Sequence, residues 1–200
     1  MPLPALTTRE YDLPEANCPS CSHAGLQVNE IEYDIENFGP VLMSVTVCRS
    51  CGFKHNDVVS LSTHEPTATS AKVMSPEDLE IRIIRGSTAT VLVPELGVSI
   101  EPGQNNEGFI SNVEGVLTRI EDVVRFLSRS LEGRRKHRAD LVLKKVQRSK
   151  EGRLKITLVL KNPFGNSTIV SEKAKKRTIG LRELSRLKFG RYAIAARKRS

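Results

Sequence analysis

The chain has 200 residues, 38% of them hydrophobic and 27% charged, with 4 Cys and no Trp; this is the make-up of a folded chain with one or two small domains. No apolar run nears the roughly 18 residues of a membrane span, and the start MPLPALTTREYDLPEANC lacks the basic-then-apolar order of a signal peptide, so a cytoplasmic protein is expected. The net charge of +8 is unevenly spread: residues 1–100 hold 6 Lys+Arg and 13 Asp+Glu, and residues 101–200 hold 25 and 10, giving −7 and +15.

The first organised feature is a set of four cysteines. Cys18 and Cys21 form C-P-S-C, and Cys48 and Cys51 form C-R-S-C after a gap of 26 residues. Two residues between cysteines let one tight turn aim both sulfurs at a single ion, and two such turns complete a tetrahedral Zn site. Paired cysteines in a reducing compartment point to metal before disulfide. A thioredoxin-like redox pair would need a βαβ setting, which this sequence does not offer. Four sulfurs fill every position on the ion, so the site is structural rather than catalytic. His23 and His55 lie near the cysteines but are not needed as ligands. Gly52 follows the second pair, where the turn calls for positive φ. Arg49 and Lys54 are placed to offset the charge of four thiolates.

Between the pairs, Ile31, Tyr33 and Ile35 alternate with Glu32, Asp34 and Glu36 as in a half-buried strand. Asn37 to Pro40 reads as a turn, Val41 to Val47 as a returning strand, and Val58 to Leu61 as a third. The expectation is a zinc ribbon over residues 14–61, whose small core depends on the metal for much of its folding energy. Residues 62–77, rich in Ser, Thr, Ala and Pro, read as a linker. A β domain is expected over 78–172, with strands in DLEIRIIRG, TATVLVPEL, GVSIEPG, RLKITLVLKN and PFGNSTIVS. Inside it the period changes. Val113, Val116, Leu117, Ile120, Val123, Val124, Leu127 and Leu131 fall at helical spacing, and Ala139, Val142, Leu143 and Val146 mark a second helix. The two form a helical hairpin over about 113–148. The basic segment 173–200 reads as a solvated tail, with Leu181, Leu184 and Leu187 at the spacing of a short helix.

The chemistry-bearing motifs of common enzymes are absent. There is no P-loop, G-x-G-x-x-G or G-x-S-x-G, the candidate strands contain no His, and no Cys lies outside the ribbon. Glu95 and Glu114 stand beside turns without a partner base, which suits turn or capping hydrogen bonds. A non-enzyme is therefore expected. Nucleic acid is an alternative partner for the basic C-terminal half. The ribbon is a poor reader of phosphate, because Glu30, Glu32, Asp34 and Glu36 lie on one arm, and 4% aromatic content supplies few stacking platforms.

In order along the chain, NCPSC, VLMSVTVCRSCGFKHNDV, STATVLVPELGVSI, SNVEGVL and NPFGNSTI resemble the motifs of the ZPR-type zinc-finger proteins. The resemblance covers roughly residues 15–170. It implies a zinc ribbon followed by a double-stranded β-helix domain that carries a helical hairpin, mainly β and α+β overall. Eukaryotic members carry this module twice; one copy here resembles the archaeal, single-module form. The resemblance implies a non-enzymatic role, since eukaryotic members bind translation elongation factor 1-alpha and are regarded as assisting its folding, and it makes that factor the expected partner here. By the same resemblance Cys18, Cys21, Cys48 and Cys51 are the ligands of one structural Zn. The rim Phe53, Lys54 and Asn56 is a candidate partner contact.

Overall fold

A computed structural model describes residues 5–35, 38–62, 65–103 and 107–188. Asn37 of the expected ribbon turn and the tail beyond residue 188 lie outside the described residues. Strands β1 (Ala5–Asn17), β2 (Ala24–Ile35), β3 (Gly39–Val47) and β4 (Lys54–Ser60) form one antiparallel sheet in the order β1-β2-β3-β4. Strand β1 was not foreseen. It is an exposed edge strand from Thr7 to Pro14, so it has no buried face to impose an alternating pattern, and its outer edge tolerates Pro14.

The second lobe is a sandwich of two sheets. Strands β5 (Thr67–Val73), β7 (Thr90–Val93), β8 (Val98–Ile100), β10 (Ile156–Asn162) and β12 (Lys175–Thr178) form one in the order β12-β5-β10-β7-β8. Strands β6 (Arg82–Arg85), β9 (Phe109–Asn112) and β11 (Thr168–Val170) form the other in the order β11-β6-β9. Every described pairing in both sheets is antiparallel. Ile156, Leu158 and Leu160 of β10 point into the core with Ile83, Val91 and Val93, as their period of two requires.

The expected linker is corrected by β5, which pairs with both β10 and β12 inside the larger sheet. Five of its seven residues TATSAKV are buried, but most are small. Small side chains suit a tightly covered strand and give it the composition of a loop. The C-terminal segment is likewise drawn into the fold. Strand β12 caps the sheet edge, Ile179 is buried and donates its N–H to the Pro66 carbonyl at 2.9 Å, and α3 (Leu181–Leu184) follows.

Helices α1 (Val113–Ser128) and α2 (Gly133–Lys150) form the hairpin. The Asn112 side chain caps α1 by accepting from the Gly115 N–H at 2.8 Å. The helical period holds throughout, but only the first half of α1 has a floor. Val113, Val116, Leu117 and Ile120 are buried with Val146, whereas Val123, Phe126 and Leu127 are 57%, 69% and 50% exposed. Among the described residues no helix is long and apolar enough to cross a membrane.

The two lobes share packing. Ile35, Phe38, Val41 and Val58 of the ribbon form one cluster with Ile84 of the sandwich, flanked by Ile110 and Val170. Asp57 accepts from the Ser87 N–H at 3.2 Å and the Ser87 hydroxyl at 3.1 Å, and the Gly108 N–H reaches the Asn56 carbonyl at 3.1 Å. A Cβ on Gly108 would sit 2.4 Å from the Val58 nitrogen, so only glycine permits this approach.

Candidate metal centre

The four cysteines lie at the end of the ribbon away from this junction, in two turns built alike. In the first, the Cys18 N–H donates to the His23 carbonyl at 2.9 Å and the Ser22 N–H to the Cys18 carbonyl at 2.8 Å. In the second, the Cys48 N–H donates to the Phe53 carbonyl at 2.9 Å and the Gly52 N–H to the Cys48 carbonyl at 2.9 Å. Each turn closes through a residue in the left-handed region, Ser22 at φ 60° and Gly52 at φ 74°. The expectation for Gly52 therefore holds, and Ser22 meets the same demand with a side chain attached.

This repetition brings the four sulfurs together. All lie within 4.8 Å of one another, with Cys18 Sγ to Cys51 Sγ at 3.7 Å and Cys21 Sγ to Cys48 Sγ at 3.8 Å. A disulfide would hold its sulfurs at about 2.05 Å, and all four cysteines are free. Sulfurs about 2.3 Å from a tetrahedral ion stand about 3.8 Å apart, so the spacing is that of the corners around Zn. The first cysteine of each pair is buried and the second exposed, which places the centre at the surface of a small apolar knot. Cys18, Cys48 and Leu26 pack there with Ala16 and Phe53. The Ser20 N–H approaches Cys18 Sγ at 3.4 Å, the kind of backbone donor that stabilises a thiolate.

Four thiolates would complete the shell, so a metal held there would supply crosslinking and charge rather than an open coordination position. His23 and His55 are not among the clustered ligands, and among the described residues no second group of three or more His, Cys, Asp or Glu could hold an ion. Arg49, expected beside the thiolates, donates through Nε to the Gln27 side chain at 3.2 Å. The rim divides. Lys54 is exposed, Phe53 is half-buried against the cysteine knot, and Asn56 faces inward, donating to the Glu107 carboxylate at 3.2 Å. Sequence reasoning missed the role of Asp57 in joining the lobes, because its partner Ser87 is 30 positions away and no local pattern connects them.

The other candidate carboxylates are structural. Burial, the largest single influence, pushes Glu95 up, but hydrogen bonds from the Thr157 N–H at 2.9 Å, its own backbone and the Thr157 side chain together hold the carboxyl below its ordinary range. Glu114 lies in the first turn of α1, where negative charge suits the helix N-terminus.

Residues 77–189 match the ZPR1 jelly-roll domain. A ZPR1-like protein of Methanocaldococcus jannaschii is 38% identical over 176 residues, which cover 87% of this chain and 89% of that protein. A ZPR1-like protein of Pyrococcus horikoshii is 37% identical over 183 residues, covering 89% of this chain and 82% of that one. The zinc finger chaperone zpr1 of Schizosaccharomyces pombe is 31% identical over 159 residues, covering 76% of this chain but only 34% of its own length. This chain thus matches about a third of the fission-yeast protein and most of each archaeal one.

Proposed function

The chain belongs to the ZPR1 family in its single-module, archaeal-type form, and from that premise we propose that it is a non-enzymatic adaptor or folding factor for translation elongation factor 1-alpha, working in the cytoplasm. The supporting observation is the likeness to a fission-yeast relative named as a chaperone, carried by 159 residues. The surface suits such work. The far half of the hairpin leaves Val123, Phe126, Leu127 and Leu141 exposed, an apolar face that a folded monomer seldom displays without a partner. Lys54 stands on the metal-held rim beside half-buried Phe53 and is the speculative partner contact that remains most accessible. Asn56 contributes by fixing the ribbon on the sandwich.

The test is capture of purified elongation factor 1-alpha, nucleotide-free and nucleotide-bound, by the zinc-loaded chain. Binding in at least one state is expected, and Phe126→Glu should weaken it at least about tenfold while leaving the unfolding midpoint unchanged. Absence of binding in every state removes the proposal.

A second reading has its own support. Helix α2 carries Arg134, Arg135, Lys136, Arg138, Lys144, Lys145, Arg148 and Lys150 against Asp140 alone, a charge density that suits RNA or a ribosomal surface. Reversing Arg134, Arg135 and Arg138 should then abolish salt-dependent RNA binding. Deleting residues 173–200 is a poor substitute, because it also removes β12.

A further inference from the structure

A cleft of about 450 Å³ opens where β8, β9 and α1 meet, remote from the four cysteines. Its walls are apolar, with Val98 and Ile100 from β8 and Val123 and Val124 from α1. Its head is different. Two guanidinium groups approach the ring of Phe109, Arg85 at 5.5 Å from the ring centre and Arg119 at 4.5 Å. Arg85 is 1% exposed and fixed, its Nε donating to the Ala89 carbonyl at 3.1 Å and its Nη1 to the Glu107 carbonyl at 2.8 Å. Arg119 is exposed on α1 and makes no ion pair with any described residue.

Two cations therefore share one ring, and each carboxylate at the rim has another partner, a cation for Glu101 and a neutral amide for Glu107. Glu101 pairs with Lys188 at 2.6 Å, and the Glu107 carboxylate accepts from Asn56 at 3.2 Å. The crowding is felt by Arg85. Burial, and then the charge of Arg119, lower its pKa to about 10 against a smaller upward pull from Asp57. An anion at the head of the cleft relieves that repulsion, and the walls below it offer contact to an apolar body. Volumes of roughly 300–1,000 Å³ with few polar groups are those of small-molecule sites. One accessible guanidinium fork matches a planar carboxylate better than a phosphate, which needs more donors to meet its charge.

We propose that this cleft binds a small carboxylate with an apolar body, its carboxylate held by Arg119 beside the Phe109 ring and its body against Val98, Ile100, Val123 and Val124. The proposal does not rest on the elongation-factor reading: it shares only Val123 with the exposed face of the hairpin and uses none of Phe126, Leu127 and Leu141.

The experiment titrates the zinc-loaded full chain with 4-phenylbutyrate, following backbone amide resonances, and repeats it with the neutral 4-phenylbutyramide. Saturable binding with a dissociation constant of about 1 mM or tighter is expected, with the largest shifts at Ile100, Phe109 and Val124. The amide should bind at least about fivefold more weakly and Arg119→Glu at least about tenfold more weakly. Arg119→Lys, which keeps the charge but not the fork, should fall between. The Arg119 side chain is exposed, so these variants should keep the wild-type spectrum away from the cleft. Three results would each overturn the proposal: no saturation by about 10 mM, equal affinity for acid and amide, or shifts that cluster elsewhere on the molecule.

Discussion

At the scale of single residues, two positions show what the chain tolerates and what it does not. Ser22 occupies the left-handed conformation that its counterpart Gly52 adopts without cost. A side chain there costs about 1 kcal/mol or a little more, and glycine restores part of that while giving the unfolded chain more freedom. Ser22→Gly should therefore leave zinc binding intact and raise stability by up to about 1 kcal/mol, read as a higher urea midpoint at constant slope. Gly108 is the opposite case. An added Cβ would meet the Val58 nitrogen at 2.4 Å and Asp57 Oδ1 at 2.7 Å, and both groups are fixed, Asp57 by Ser87 and Val58 by its place in β4. Gly108→Ala should cost about 2–3 kcal/mol, because backbone and not a flexible side-chain end must move. An unchanged urea midpoint for Gly108→Ala would mean that the lobes do not meet as described.

At the scale of elements, burial and pattern diverge in instructive ways. The C-terminal strap is held by Glu183, which accepts from Arg177 at 2.7 Å and 2.9 Å and pairs with Lys161 of β10 at 2.9 Å. The hydrogen bonds from Arg177 and then Lys161 lower its pKa from 4.5 to about 2. A carboxyl whose folded pKa is depressed stabilises the fold fully above its unfolded value and loses that contribution as pH falls through the folded value. Glu183→Gln should thus cost about 1–2 kcal/mol at pH 7, allowing for solvent screening, and the gap to the parent chain should shrink by about half or more at pH 3. Asp78 behaves in the same sense, held low by Lys173 at 2.7 Å and by the Met74 N–H. None of these clamps could be read from the sequence, since Asp78 and Lys173 are 95 positions apart. The metal ligands could, because each pair is a local turn with its own spacing. Strand β10 and the buried half of α1 were legible for a similar reason: one face meets a core and the other does not, so a period appears. Strand β5 was not, being covered with small residues, and β1 was not, being exposed. The far half of α1 kept its period without the burial that period normally reports, which marks Val123, Phe126 and Leu127 as surface rather than core.

For the whole molecule, the question is how far the metal's influence reaches. The ribbon has little apolar packing of its own at the zinc end, where Cys18, Cys48 and Leu26 are the buried members of the knot. At the other end it shares Ile35, Phe38, Val41 and Val58 with Ile84 of the sandwich. The sandwich core is larger and self-contained, running from Ala71 of β5 through Leu117 of α1 to Ile169 of β11. Structural Zn contributes folding energy outright to a domain with a small core, but here only part of the ribbon lacks another anchor. Removing the metal, by chelation or by Cys48→Ser, should therefore melt the molecule from the zinc end inward and spare the sandwich. Amide hydrogen exchange reads this directly. Protection at Leu26 to Val28 and at Thr46 and Val47 should fall most, protection at Val41 and Val58 should fall less, and protection along Ile156 to Leu160 of β10 should stay within a few-fold of the zinc-bound value. If β10 loses protection together with β2, the two lobes unfold as one unit, and the junction at Asp57, Ser87 and Gly108 transmits the loss of the metal to the sandwich.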